Sequence, residues 1–122
     1  MGPDVEALRR IVGAANVLDD PSLTERYRVD WTGRFRATSS VVVRPGSTDE
    51  VAGVVAYCAD NAIAIVPQGG NTGLVGGGVA LDGEITLSLE RTHAIESVNA
   101  TAGTLVAQAG ATLADVQHAA LD

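Results

Sequence analysis

The sequence has no lysine at all, and its eight arginines are outnumbered by fifteen aspartates and glutamates, for a net charge of -7. That balance is the wrong sign for a nucleic-acid partner, whose phosphates demand a basic face. One cysteine excludes an internal disulfide. Cys58 also has no companion ligands at metal-binding spacing, and within "VVAYCAD" it occupies a place suited to a small buried hydrophobe. No metal site is expected. Long apolar runs are missing too: none approaches the roughly 20 residues of a membrane span. The opening "MGPDVEALRR" lacks the charged-then-apolar order of a signal peptide, so a cytoplasmic location is expected. Aromatics make up only 3% of the chain, yet 46% hydrophobic content over 122 residues suffices for one core and no more than one domain.

What is present reads as an alternation of helices and strands. Val5, Leu8, Val12 and Ala15 fall at helical spacing, with Pro3 where a first turn tolerates it. Between Asp19 and Ser40 the periodicity fails, and Tyr27, Trp31 and Phe35 interleave with Arg26, Arg28, Arg34 and Arg36; this predicts an irregular segment pinned by its rings. "VVV" at 41–43 reads as a buried strand. Ser47 with Glu50 three residues on is a capping-box helix start, and Val51, Val54, Val55 and Cys58 form one apolar stripe. The helix is expected to end near Asn61 in a left-handed cap, before "IAIV" at 63–66 makes a second buried strand. Strand, helix, strand with short links predicts a right-handed parallel crossover.

Beyond residue 78, Ile85, Leu87 and Leu89 alternate with Thr86 and Ser88, predicting a half-exposed strand. "AIESV" and "TLVAQAG" around "NATAG" predict an antiparallel hairpin. Thr112 and Asp115 repeat the cap pattern, and Leu113, Val116 and Ala120 start a helix still unfinished at Asp122, as expected of a portion of a longer domain. The fold class is α+β: a small parallel strand-helix-strand unit joined to the beginning of an antiparallel sheet, with flanking helices.

Between these halves lies "PQGGNTGLVGGG", residues 67–78, with six glycines. Each loses roughly 0.5 to 1 kcal/mol more conformational freedom on folding than alanine would. A tight turn or close strand approach explains two or three of them. A Walker loop needs a lysine that the chain lacks, and a Rossmann loop runs G-x-G-x-x-G into a helix, whereas Gly70, Gly73 and Gly76 are spaced by three and a strand follows. The remaining chemistry is a backbone nest, in which successive N–H groups turn inward onto a pyrophosphate, with Gln68, Asn71 and Thr72 as neutral donors. Hydrogen bonds to a charged acceptor contribute about 1.5 to 3 kcal/mol each, so three or four offset the ordering cost.

The stretch "VVRPGSTDEVAGVVAYCADNAIAIVPQGGNTGLVGGGV", flanked by "DWTGRFR" and "VAQAGATLADV", resembles the FAD-linked oxidoreductases of the vanillyl-alcohol oxidase and p-cresol methylhydroxylase (PCMH) type. Within them it is most similar to the branch of D-lactate, D-2-hydroxyglutarate and glycolate dehydrogenases. The resemblance implies that residues 1–122 are the N-terminal portion of a PCMH-type FAD-binding domain. It also implies that Pro67, Gln68, Gly69, Gly70, Asn71, Thr72, Gly73, Leu74, Gly76 and Gly77 contact the FAD pyrophosphate. Relatives that tether the flavin covalently carry a histidine where Asn71 stands, so non-covalent FAD is implied; His93 and His118 are expected at the surface. The second FAD segment and the substrate domain of the family are not in the sequence. No catalytic residue can therefore be carried over, and neither Arg44 nor Arg91, the arginines near the binding edge, has a base beside it. The implied full enzyme moves hydride from the α-carbon of a D-2-hydroxy acid to FAD, and these 122 residues alone are expected to be inactive. Two alternatives stand beside this: a stand-alone nucleotide- or phosphate-binding module, and an interaction fragment that self-associates, or binds a missing C-terminal portion, through unpaired strand edges.

Overall fold

The computed structural model describes residues 3–121. Helix α1 (Val5–Val12) starts at Asp4, whose carboxylate accepts from the N–H groups of Glu6 and Ala7, and it buries Leu8 and Val12. Pro3 thus precedes the cap instead of entering the first turn. Gly13, at φ 93°, ends the helix, so Ala15 belongs to a short 3-10 turn and not to the helical stripe. The turn leads into β1 (Val17–Leu18).

The segment expected to be irregular contains a helix, α2 (Pro21–Arg28). Asp20 caps it by accepting from Ser22 N–H, and Pro21 takes the first helical position, where its missing donor is harmless. This start signal was legible. What hid the helix is its composition, because only Thr24 and Tyr27 are buried and no apolar stripe announces it.

Strands β2 (Val42–Val43), β3 (Ile65–Gln68) and β4 (Ile85–Ser88) join β1 in one sheet of order β1-β2-β4-β3. Helix α3 (Thr48–Asp60) links β2 to β3, and Ser47 Oγ accepts from Glu50 N–H as the capping box requires. The crossover is parallel as expected, but β4 lies between its two strands. Val42 pairs with Thr86 on one side, and Ile65 through Gln68 pair with Ile85 through Ser88 on the other, both parallel; β1 is antiparallel to β2. The expectation of a half-exposed strand at 85–89 is therefore corrected. As the inner strand β4 has both edges paired, and all four of its residues are buried, Thr86 and Ser88 included.

The core joins Leu8 and Val12 of α1, Val17 of β1, Val43 of β2, Val54 and Cys58 of α3, and Ile85 and Leu87 of β4. Val55 falls off the expected stripe and is 45% exposed. The left-handed residue after α3 is Ala62 (φ 53°), not Asn61 (φ −111°). Asn61 closes the helix with its side chain instead, donating Nδ2–H to Tyr57 O at 2.8 Å.

Strands β5 (Ile95–Asn99) and β6 (Thr104–Ala107) form the expected antiparallel hairpin, with a register shift between Ile95 and Ser97. Helix α4 (Leu113–Leu121) follows, with Thr112 Oγ1 accepting from Asp115 N–H at 3.1 Å. The expectation at Asp122 lies outside the described residues. Hairpin and sheet meet at Gly110, whose N–H donates to Thr92 O at 2.8 Å. A Cβ there would stand 1.7 Å from Leu89 O and 2.7 Å from Thr92 O, both main-chain atoms that cannot rotate away. Gly110→Ala is expected to destabilise the protein by more than about 3 kcal/mol, read as a lowered denaturant midpoint.

Candidate functional site

Because β3 and β4 are parallel and in register, their carboxyl ends reach the same edge of the sheet at Gln68 and Ser88. The glycine loop leaves β3 at that edge. Gln68 is 5% exposed and closes the loop's base, its Nε2 donating to Gly78 O (3.0 Å) and to Tyr27 O at the end of α2 (2.8 Å). Asn71 is left-handed (φ 57°) and its Nδ2 donates to Val29 O at 2.7 Å. The amide nitrogens of Gln68 and Asn71 are thus engaged with main-chain carbonyls.

The glycines divide by what surrounds them. Gly76 is needed by the fold itself, since its φ is +80° and a Cβ would sit 2.8 Å from the Phe35 ring. At Gly70, Gly73 and Gly77 a Cβ would meet nothing within 4 Å, and at Gly69 only Ala109 O at 3.9 Å. Neither a left-handed turn nor a crowded neighbour demands glycine at those four. Among the described residues, the main-chain N–H groups of residues 69–78 donate to no protein acceptor. A run of such donors beside bare α-carbons is a cradle for an anion that a side chain would obstruct.

Two cavities open on this loop. The smaller, about 260 Å³, is enclosed by Pro67, Thr72, Gly73, Gly76 and Gly77 among others, and the larger, about 460 Å³, extends from the loop to Arg26, Tyr27, Glu90, His93, Thr112 and Asp115. Gln68, Gly69, Gly70, Asn71 and Asp30 line both, so the first turn of the loop partitions them. Leu74 is 62% exposed and lines neither. His93 is exposed at the rim of the larger cavity, and His118 is exposed on α4.

Glu90, Tyr27, Arg26 and Asp30 are site residues that sequence reasoning did not single out. The Glu90 carboxylate accepts from the buried Tyr27 hydroxyl, from both terminal nitrogens of Arg26 (3.1 and 3.2 Å) and from Arg44 (3.2 Å). Burial alone would raise the Glu90 carboxyl, but the Tyr27 and Arg26 hydrogen bonds and the charges of Arg26 and Arg44 hold it below the ordinary range. Burial, and then the bond to Glu90, push the Tyr27 hydroxyl up. Arg44 also donates to Asn16 Oδ1, while Arg91 donates to Arg44 O at 2.6 Å. The arginines near the edge are thus committed within the protein. Asp30 is 7% exposed; against burial, bonds from Thr32 Oγ1 and the Phe35 N–H keep it ionised and lower its pKa. Residues 31–34, between Asp30 and its backbone partner Phe35, form a tight turn, and "DWTG" carried that signal in its Asp and Gly.

Residues 39–121 match the sequence profile of a family described as an FAD binding domain. The D-2-hydroxyglutarate dehydrogenase of Xanthomonas citri pv. viticola is 42% identical over 118 residues, which is 97% of this chain and 25% of that protein. The mitochondrial D-2-hydroxyglutarate dehydrogenase of Bos taurus is 42% identical over 110 residues, 90% of this chain and 20% of that protein. The chain therefore spans a fifth to a quarter of the length of these relatives. Among solved structures, p-cresol methylhydroxylase with substrate bound shares the fold at a TM-score of 0.77 and 21% identity, over 94% of this chain and 23% of that one.

Glu90→Gln removes the charge that two guanidinium groups face and is expected to lower unfolding free energy at neutral pH by about 1 to 2 kcal/mol. The folded pKa of Glu90 lies below its ordinary value of 4.5. Its contribution is therefore full above that value and lost as pH falls through the lowered one. Urea unfolding of variant and wild type is expected to differ at about pH 7 and to converge only as pH falls below 4.5 and through the lowered folded value.

Proposed function

Because the chain belongs to the FAD binding domain family, we propose that its glycine loop grips the FAD diphosphate through main-chain amides, without covalent attachment, within an oxidoreductase acting on a D-2-hydroxy acid. The observation that carries this reading is the coincidence of N–H groups without protein acceptors over residues 69–78 and α-carbons with open space beside them at Gly69, Gly70, Gly73 and Gly77. The chain offers no lysine to neutralise phosphate, and Arg26 and Arg44 are already paired with Glu90. The smaller cavity is lined by no cationic side chain, so main-chain dipoles are the source of attraction there. Contacts in this reading fall to Pro67 through Gly73 with Gly76 and Gly77, which line the smaller cavity; Leu74, exposed and lining neither cavity, is retained only on the resemblance. Gln68 contributes by fixing the loop's two ends, since its amide nitrogen is held by Tyr27 O and Gly78 O.

Bound FAD supplies the two-electron acceptor for hydride from the substrate α-carbon. The residues of this chain bind and orient that acceptor. We assign them no proton transfer and no grip on a substrate carboxylate, because Arg44 is spent on Glu90 and Asn16 and Arg91 on Arg44 O. The names of the two relatives support a D-2-hydroxyglutarate-like substrate for the full-length enzyme.

Gly69→Val and Gly70→Val test the reading, because open space around both positions lets the fold survive while the new side chain intrudes on the ligand. Each is expected to lower flavin content per protein at least about tenfold, a loss of about 1.4 kcal/mol of binding. Undiminished flavin in both variants overturns the assignment. Acid precipitation of the wild-type holoprotein is expected to leave the flavin in the supernatant; colour kept in the pellet would mean a covalent bond. Full-length enzyme is expected to oxidise D-2-hydroxyglutarate or D-lactate in an assay with an artificial electron acceptor.

A further inference from the structure

A loop of glycines cannot hold its own shape, and in this protein two tethers outside it do so. Both come from residues 26–36. Asn71 reaches across to Val29 O (2.7 Å) and Arg26 O (3.4 Å), and its left-handed backbone is one that asparagine tolerates. Five residues on, the Phe35 ring covers Gly76, so closely that a Cβ there would stand 2.8 Å away. Phe35 is itself fixed, since its main-chain N–H donates to Asp30 Oδ1 at 3.1 Å while Asp30 Oδ2 accepts from Thr32 at 2.7 Å.

Phe35 lines neither cavity, is 41% exposed and is not part of the hydrophobic core. Neither ligand contact nor core burial accounts for an aromatic ring placed there. Its contact with Gly76 does. On the reading of the loop given above, we infer that Asn71 and Phe35 are positioning residues: they hold the loop in its binding shape before FAD arrives, so the ordering entropy is not charged against cofactor affinity. Preorganisation of this kind is read as affinity without any new contact to the ligand.

The experiment uses the full-length protein stripped of FAD and titrated with FAD and, separately, with ADP, which carries the diphosphate without the flavin. Phe35→Ala and Asn71→Gly are each expected to raise Kd for both ligands about tenfold. Asn71→Gly keeps the left-handed backbone and removes the tether together with the Asn71 side chain that lines both cavities, so Phe35→Ala, at a residue that lines neither, separates positioning from contact. Phe35→Leu, which can still cover Gly76, is expected to recover most of the affinity. A merely structural role would lower the apo unfolding midpoint in step with affinity, whereas here the midpoint of Phe35→Ala is expected to move by about 2 °C or less. Wild-type Kd values in both variants, alongside loss of FAD in Gly70→Val, overturn the inference and leave the loop reading standing. Wild-type binding by Gly70→Val overturns both. Should Phe35→Ala fail to fold, Phe35→Leu and Phe35→Val decide: wild-type affinity in Phe35→Val overturns the inference, and a Kd that rises from Phe35→Leu to Phe35→Val at an unchanged midpoint supports it.

Discussion

The site depends on main-chain donors being left free, and that freedom is a constraint on everything around it. Backbone N–H groups away from water are almost always paired, and a folded chain normally spends them on its own carbonyls. Residues 69–78 spend none of theirs on the protein. To keep such a stretch from collapsing onto itself, its ends and its turns must be held by something else. Gln68, the residue before the loop, donates its Nε2–H groups to Gly78 O and Tyr27 O, and α2 with the turn after it supplies carbonyls and a ring for the rest.

The sheet makes this arrangement possible. Placing β4 between β2 and β3 puts Glu90, two residues past the end of β4, beside α2 at the same edge as the glycine loop. Glu90 then gathers Tyr27, Arg26 and Arg44, fixing the helix whose terminal carbonyls hold Gln68 and Asn71. A fully buried inner strand, an ion-paired carboxylate and a side-chain-poor loop are therefore one mechanical unit. Gly110 completes it by letting the hairpin approach Leu89 O and Thr92 O more closely than any side chain permits.

Much of this was legible in the residues alone. Capping signals located α3 and α4 and the apolar run at 41–43 located β2, whereas the strand expected buried at 63–66 is β3 at Ile65–Gln68, an edge strand in which only Gln68 is buried. The loop residues were legible because glycine at this density has few physical explanations. What was not legible has specific causes. Helix α2 carries almost no apolar face, so its Asp20-Pro21 start had no periodicity to support it. The burial of Thr86 and Ser88 depends on strand order, which a period-two pattern does not encode. Glu90 and Tyr27 are 63 residues apart, and nothing local distinguishes an anchoring carboxylate from a solvated one.

The pairing of Arg26 and Arg44 with Glu90 also sets the electric field at the cavity mouth. Glu90 offsets only one of the two arginine charges, so the cluster keeps a local positive excess within a chain that is at -7 overall, and on the proposed reading a diphosphate is steered over short range and not by the mean potential of these residues. A site that attracts through fixed main-chain dipoles is also one whose attraction does not titrate, since amide N–H groups carry the same partial charge across the ordinary pH range.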